Sequence, residues 1–289
     1  MSIADSTPSR LTFTAPLLLV TAAAWIGVFA IAHDMGAMPG TMGLGVIPFV
    51  AMWALMMAAM MLPSIVPFAS LYVSTFGDDR GWRLAALSGG YLIVWTLPAF
   101  PAYAFAWWME RASVTNPFVL PAVAVAALTA CGIYQLTPLK HQCLKRCRSP
   151  LSDAFKYAAF KGRARELRVG VSHGLNCLGC CWALMALMLS FGLMNVTAMV
   201  GLTAVCLIEK VWAWGPQFAR AVGVAALVVA VVVALYPDLA PWLHQFPICK
   251  QAARSLTIER YRSPGLLRPR PSAFQSKSGQ ISAPTVMAA

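Results

Sequence analysis

Residues 44–71 read LGVIPFVAMWALMMAAMMLPSIVPFASL, and not one of these 28 residues is charged. The hydrocarbon core of a bilayer asks for about 20 consecutive apolar residues in a helix. Inside it every backbone N–H and C=O must be paired within the segment, which a helix achieves and an open strand does not. The stretch therefore predicts a membrane-spanning helix, with Pro63 and Pro67 near its end as the points where it bends. Similar runs flank it. Before it, residues 15–32 (APLLLVTAAAWIGVFAIA) are apolar throughout. After it, spans are expected at about 84–109, 118–138, 175–194, 196–209 and 216–236. Composition agrees: the chain of 289 residues is 59% hydrophobic and only 11% charged, against roughly 25% charged in an ordinary soluble domain. That excludes one large soluble core. The expected fold is all-α, a polytopic transmembrane helix bundle of about seven spans. It comprises an N-terminal segment 1–14, a transmembrane domain 15–236 that contains a basic linker at 139–170, and a tail 237–289, rich in Ser, Pro and Arg and expected to be disordered. Segment 1–14 has a single basic residue, Arg10. That is a poor leader for a cleaved signal peptide, so the first span is expected to be retained.

The net charge of +12 falls between hydrophobic runs. There it marks cytoplasmic loops and contacts with anionic headgroups, not a nucleic-acid surface. With seven spans, the N-terminus and the loops on its side hold 14 Lys and Arg, counting Arg220 at the start of the last span, and the opposite loops hold one, Arg111. The positive-inside rule then puts the N-terminus and the linker in the cytoplasm and the loop 33–43 outside. The tail, with seven basic residues, falls on the outer side against the rule. Charges far from a span weigh less.

Chemistry concentrates between Cys131 and Met188. The stretch CGIYQLTPLKHQCLKRCRSP is followed by the basic linker and then by HGLNCLGCCWALMALM. Cys143 and Cys147 are four apart, so on a continuing helix they share a face. Cys177 and Cys180 form C-x-x-C, with Cys181 directly after. Thiolates are ligands for Cu(I), for zinc and for iron–sulfur clusters. Two cysteine sets across a linker resemble zinc spacing, but a zinc ribbon sits in a soluble fold, and these sets abut spans. The neighbouring Lys140, Lys145, Arg146, Arg148 and Arg168 favour thiolates. Spans joined in sequence usually neighbour each other in space, so both sets are expected in one coordination sphere at one membrane surface. His141 and His173 lie beside them and join the candidate ligands. Cys131 and Cys206 fall mid-span, where cysteine is a small packing residue. Glu209 and Lys210 close the sixth expected span, either as functional intramembrane charges or as groups that snorkel to the interface.

A second soft-ligand set lies at 33–61, which contains eight of the 15 methionines. His33, Met35, Met38 and Met42 sit in a polar loop that has no core to fill. There thioethers point to Cu(I), which they bind even in an oxidising space. Met52, Met56, Met57, Met60 and Met61 lie within the second span, where packing is the expected role.

The motifs YQLTPLKHQCLKRCRSP, HGLNCLGCCWALM, the later LIEK and the earlier MWALMMAAMMLPS together resemble a bacterial family of predicted metal-binding integral membrane proteins of unassigned function, over roughly residues 15–236. The resemblance implies a location in the bacterial inner membrane and cysteine ligands. It leaves the activity open. Three readings stand. The chain is a Cu(I) transporter or membrane copper-delivery protein that works through Met and Cys ligands. Or it is a membrane thiol–disulfide oxidoreductase using the CLGCC cluster. Or it is a membrane subunit or assembly factor for a metalloenzyme. Zinc is the alternative ion. The expected partners are the bilayer, the metal ion and a metallochaperone or metalloenzyme. No nucleophile–base pair or phosphate-binding glycine loop points to a hydrolase.

Overall fold

A computed structural model describes residues 7–35, 40–41, 43–74, 79–116, 118–149, 160, 162 and 164–236. These residues are almost all helical. The helices are α1 (Thr7–Met35), α2 (Val46–Ser74), α3 (Arg80–Thr96), α4 (Ala99–Thr115), α5 (Val119–Leu136), α6 (Pro138–Cys147), α7 (Arg165–Phe191), α8 (Val196–Val211) and α9 (Gly215–Leu235). Six stretches are long and apolar enough to cross a membrane: Ala15–His33, Val46–Tyr72, Arg80–Thr115, Val119–Leu136, Arg165–Phe191 and Gly215–Leu235. The chain is thus a polytopic helical membrane protein. The expected span at 196–209 is α8, whose 16 residues reach about 24 Å at 1.5 Å per residue, short of the bilayer core. The expected span at 84–109 is α3 and α4 together, broken at Leu97–Pro98 because proline has no N–H to continue the ladder. The linker at 139–170 is helical at both ends, as α6 and as the first turns of α7.

Helix α2 is at the centre of the bundle and is the most buried of the spans. It packs against α1, α3, α4 and α8. The most extensive contacts join α3 to α7, α5 to α9 and α1 to α2. Helices α3 and α7 run parallel, with Arg83 paired to Glu166 at one end and Tyr91 reaching Cys177 further along. The contact is close because Gly170 presents only a hydrogen: a Cβ there would lie 2.0 Å from the Leu87 carbonyl oxygen. Small residues let membrane helices approach in this way. Gly192, at φ 91°, ends α7. The Asn195 side chain then accepts from the Ala198 N–H at 3.1 Å and caps α8, which runs back along α7.

Candidate metal centre

Helix α6 begins immediately after α5. The Thr137 hydroxyl accepts from the Lys140 N–H at 3.3 Å, and Pro138 occupies the first turn, where its missing N–H costs nothing. The result is a new helix that lies against α7. Its inner face carries Lys140 and Leu144, both buried, with Cys143 and Cys147 half-buried beside them.

From the opposite side α7 presents Cys177, Cys180 and Cys181, each only 1% exposed. Their three sulfur atoms lie within 4.8 Å of one another. Cys180 Sγ is 3.3 Å from Cys181 Sγ and 3.7 Å from Cys147 Sγ. Cys206 of α8, buried in the same cluster, interacts with Cys181. Cys143 flanks the group, and a Cβ placed on Gly179 would sit 2.9 Å from its sulfur. The two cysteine sets therefore come together around Cys180, and the thiols run in a connected string from α6 through α7 to α8.

Fixed charges surround the string. Lys210 Nζ donates to Cys177 Sγ at 2.9 Å and to Ser64 Oγ at 3.0 Å. The Tyr91 hydroxyl lies 2.9 Å from the same sulfur and donates to the Met61 carbonyl at 3.2 Å. Lys140, fully buried, pairs with Glu209 Oε2 at 2.6 Å and donates to the Cys180 carbonyl. Gln135 Nε2 donates to the other Glu209 oxygen at 2.7 Å. Arg148 clasps the end of α8 through the carbonyls of Glu209, at 2.6 Å, and Ala213, at 3.1 Å. Two ammonium groups against one carboxylate leave the surroundings positive before any thiol ionises, which favours bound thiolate. On α6, burial works against the Lys140 charge, but Cys181 and Glu209 outweigh it and hold the group above its ordinary range. Burial, and then Cys147, push the Cys143 thiol up.

The other candidates fall elsewhere. His173 is buried one turn before Cys177 on α7, its ring stacked on Phe68 at 4.3 Å and 7°. His141 turns away from the thiols and accepts from Arg220 Nε at 3.3 Å. Burial, Arg220 and Lys140 together lower its basicity. His33 is exposed at the end of α1. Met38, Met42 and the side chain of Met35 lie outside the described residues. Among the described residues between α1 and α2, Thr41 is at the far end of the bundle from the thiols. Thr41 donates to Glu110 on α4 through N, at 3.2 Å, and Oγ1, at 2.8 Å, and α4 leads into the start of α5. The thiols sit beside the last turn of α5, where the Tyr134 hydroxyl donates to the Gly179 carbonyl. Sequence reasoning passed over Cys206, the Lys140–Glu209 pair and Tyr91. Glu209 does not snorkel: it is fully buried.

A string of buried thiols with cationic neighbours and few competing oxygen donors is chemistry for a soft ion. Residues 50–233 match a family model, PpoB2, described as a copper chaperone. No curated protein and no solved structure matches the chain.

Proposed function

This chain belongs to the PpoB2 copper-chaperone family, and from that membership we propose that it is a membrane-embedded Cu(I) carrier that holds the ion on its thiol cluster and hands it to a protein acceptor. The observation that carries this reading is the convergence of the half-buried Cys147 on the buried group of Cys177, Cys180 and Cys181. Cu(I) is stable with two or three soft ligands, so the group offers it spare donors. A donor set with a spare thiolate can pass an ion by exchanging one sulfur at a time, without ever releasing it to water. The basic residues of α6 and the linker support a cytoplasmic position for the cluster in a bacterial inner membrane, with the N-terminus on the same side. The acceptor is a copper enzyme or a soluble metallochaperone.

The test is metal content. The full chain, purified in detergent after growth in copper, should carry copper that the variant with Cys177, Cys180 and Cys181 all changed to Ser lacks. Cys131→Ser, a buried position on α5 outside the cluster, should retain it. Equal copper in the triple variant would sink the proposal. Zinc in place of copper, in protein loaded with either ion, would move it to zinc.

A further inference from the structure

Beyond the thiol cluster lies a body of sulfur that the chaperone reading does not use. Met56, Met57, Met60 and Met61 of α2, Met188 of α7 and Met199 of α8 are each 0% exposed and belong to one packed cluster that also contains Cys177, Cys180, Cys181 and Cys206. Three helices bring thioether and thiol into register. On α7, Met188 is seven residues past Cys181. On α8, Met199 is seven residues before Cys206, and α8 runs antiparallel to α7. Both methionines therefore lie about 10 Å from the thiols toward the same end of the bundle. On α2 the link is direct: the Met61 carbonyl accepts from the Tyr91 hydroxyl, which touches Cys177. The other three continue from Met61 in the same direction. At about 100° per residue, the four occupy one half of the helix surface.

We infer that these methionines form a thioether path along which Cu(I) moves between the thiol cluster and the opposite end of the bundle, so that the protein moves copper across the membrane as well as holding it. This rests on the Cu(I) reading of the cluster. The step is ligand exchange. A copper–thiolate bond breaks, a copper–thioether bond forms, and copper stays in the +1 state with no electron moved. Thioethers are neutral, so the ion keeps its charge in a low-dielectric interior, where charge is costly. The methionines are therefore places of passage, and the thiolates the place of rest. The vacated Cys177 keeps Lys210 as its partner.

The experiment uses the full chain in lipid vesicles, with Cu(I) supplied on one side under reducing conditions. Met56, Met60 and Met188 are changed together to Leu, which keeps bulk and removes sulfur. The thiol cluster should load with copper as before and the variant should unfold at the temperature of the parent, while passage of copper falls to the level of empty vesicles. In a second arm the unaltered chain is made with selenomethionine. When Cu(I) is offered beyond what the thiols hold, absorption at the copper edge should reveal selenium next to copper. Passage at the original rate in the leucine variant, or no copper–selenium signal at any loading, overturns the path. If the thiols take no copper in either protein, the chaperone reading fails. The selenium signal then still decides the path by itself.

Discussion

Glu209 is the residue whose loss the fold should feel most. It meets Lys140 inside the protein, with both side chains at 0% exposure. A buried ion pair contributes little against a well-packed apolar pair, but removing one partner leaves a charge with nowhere to go, at a cost of about 3–5 kcal/mol. Glu209→Gln should therefore lower the unfolding temperature sharply in detergent. The double change Lys140→Met with Glu209→Leu should restore most of the loss. An additive double variant would mean that the pair is not coupled. This pair also marks where reading the sequence ran out. Lys140 and Glu209 are 69 positions apart, and each has an ordinary local explanation, a linker charge and a helix-end charge. Cys206 was hidden in the same way, because one cysteine in an apolar run is indistinguishable from packing until the neighbouring helix brings Cys181 to it. Cys143, Cys147, Cys177, Cys180 and Cys181 were legible because they cluster along the chain itself.

The helices were legible in proportion to how strongly the bilayer constrains them. An uncharged run such as 44–71 has one stable form in lipid, and α2 covers it. Helix α6 was absorbed into a basic linker because charge was read as loop. Its start was nonetheless written in Thr137–Pro138, a capping hydroxyl followed by a first-turn proline. Helix α8 has the apolarity of a span without the length. The contact between α3 and α7 carries a direct test. Gly170→Leu would drive a side chain into the Leu87 carbonyl, 2.0 Å from the new Cβ, and push the two helices apart. Tyr91 rides on α3 and Cys177 on α7, so the variant should lose both thermal stability and copper retention. Gly89→Leu on α3, where a Cβ meets nothing within 4 Å, should leave both unchanged. A Gly170→Leu protein as stable as the parent would mean that this interface can open without harm.

Across the whole molecule the basic residues make an orientation testable. In a chain whose native cysteines are replaced, a single cysteine introduced at Ala158 in the linker should stay unlabelled by an impermeant thiol reagent in intact cells. One at Ala37, between α1 and α2, should label. The reverse pattern would invert the molecule and place the thiol cluster in the oxidising compartment.

The thiol string also sets an order of events during synthesis. Its sulfurs come from α6, α7 and α8, and the charges around it extend to Lys210. A nascent chain that has inserted only as far as α7 already carries Cys147, Cys177, Cys180 and Cys181. It still lacks the carboxylate that Lys140 requires and the ammonium that lies on Cys177. Until the ribosome has delivered α8, that donor set is incomplete and its thiols are open to whatever ion arrives first. On the proposed reading, the complete copper site exists only once α8 is in place.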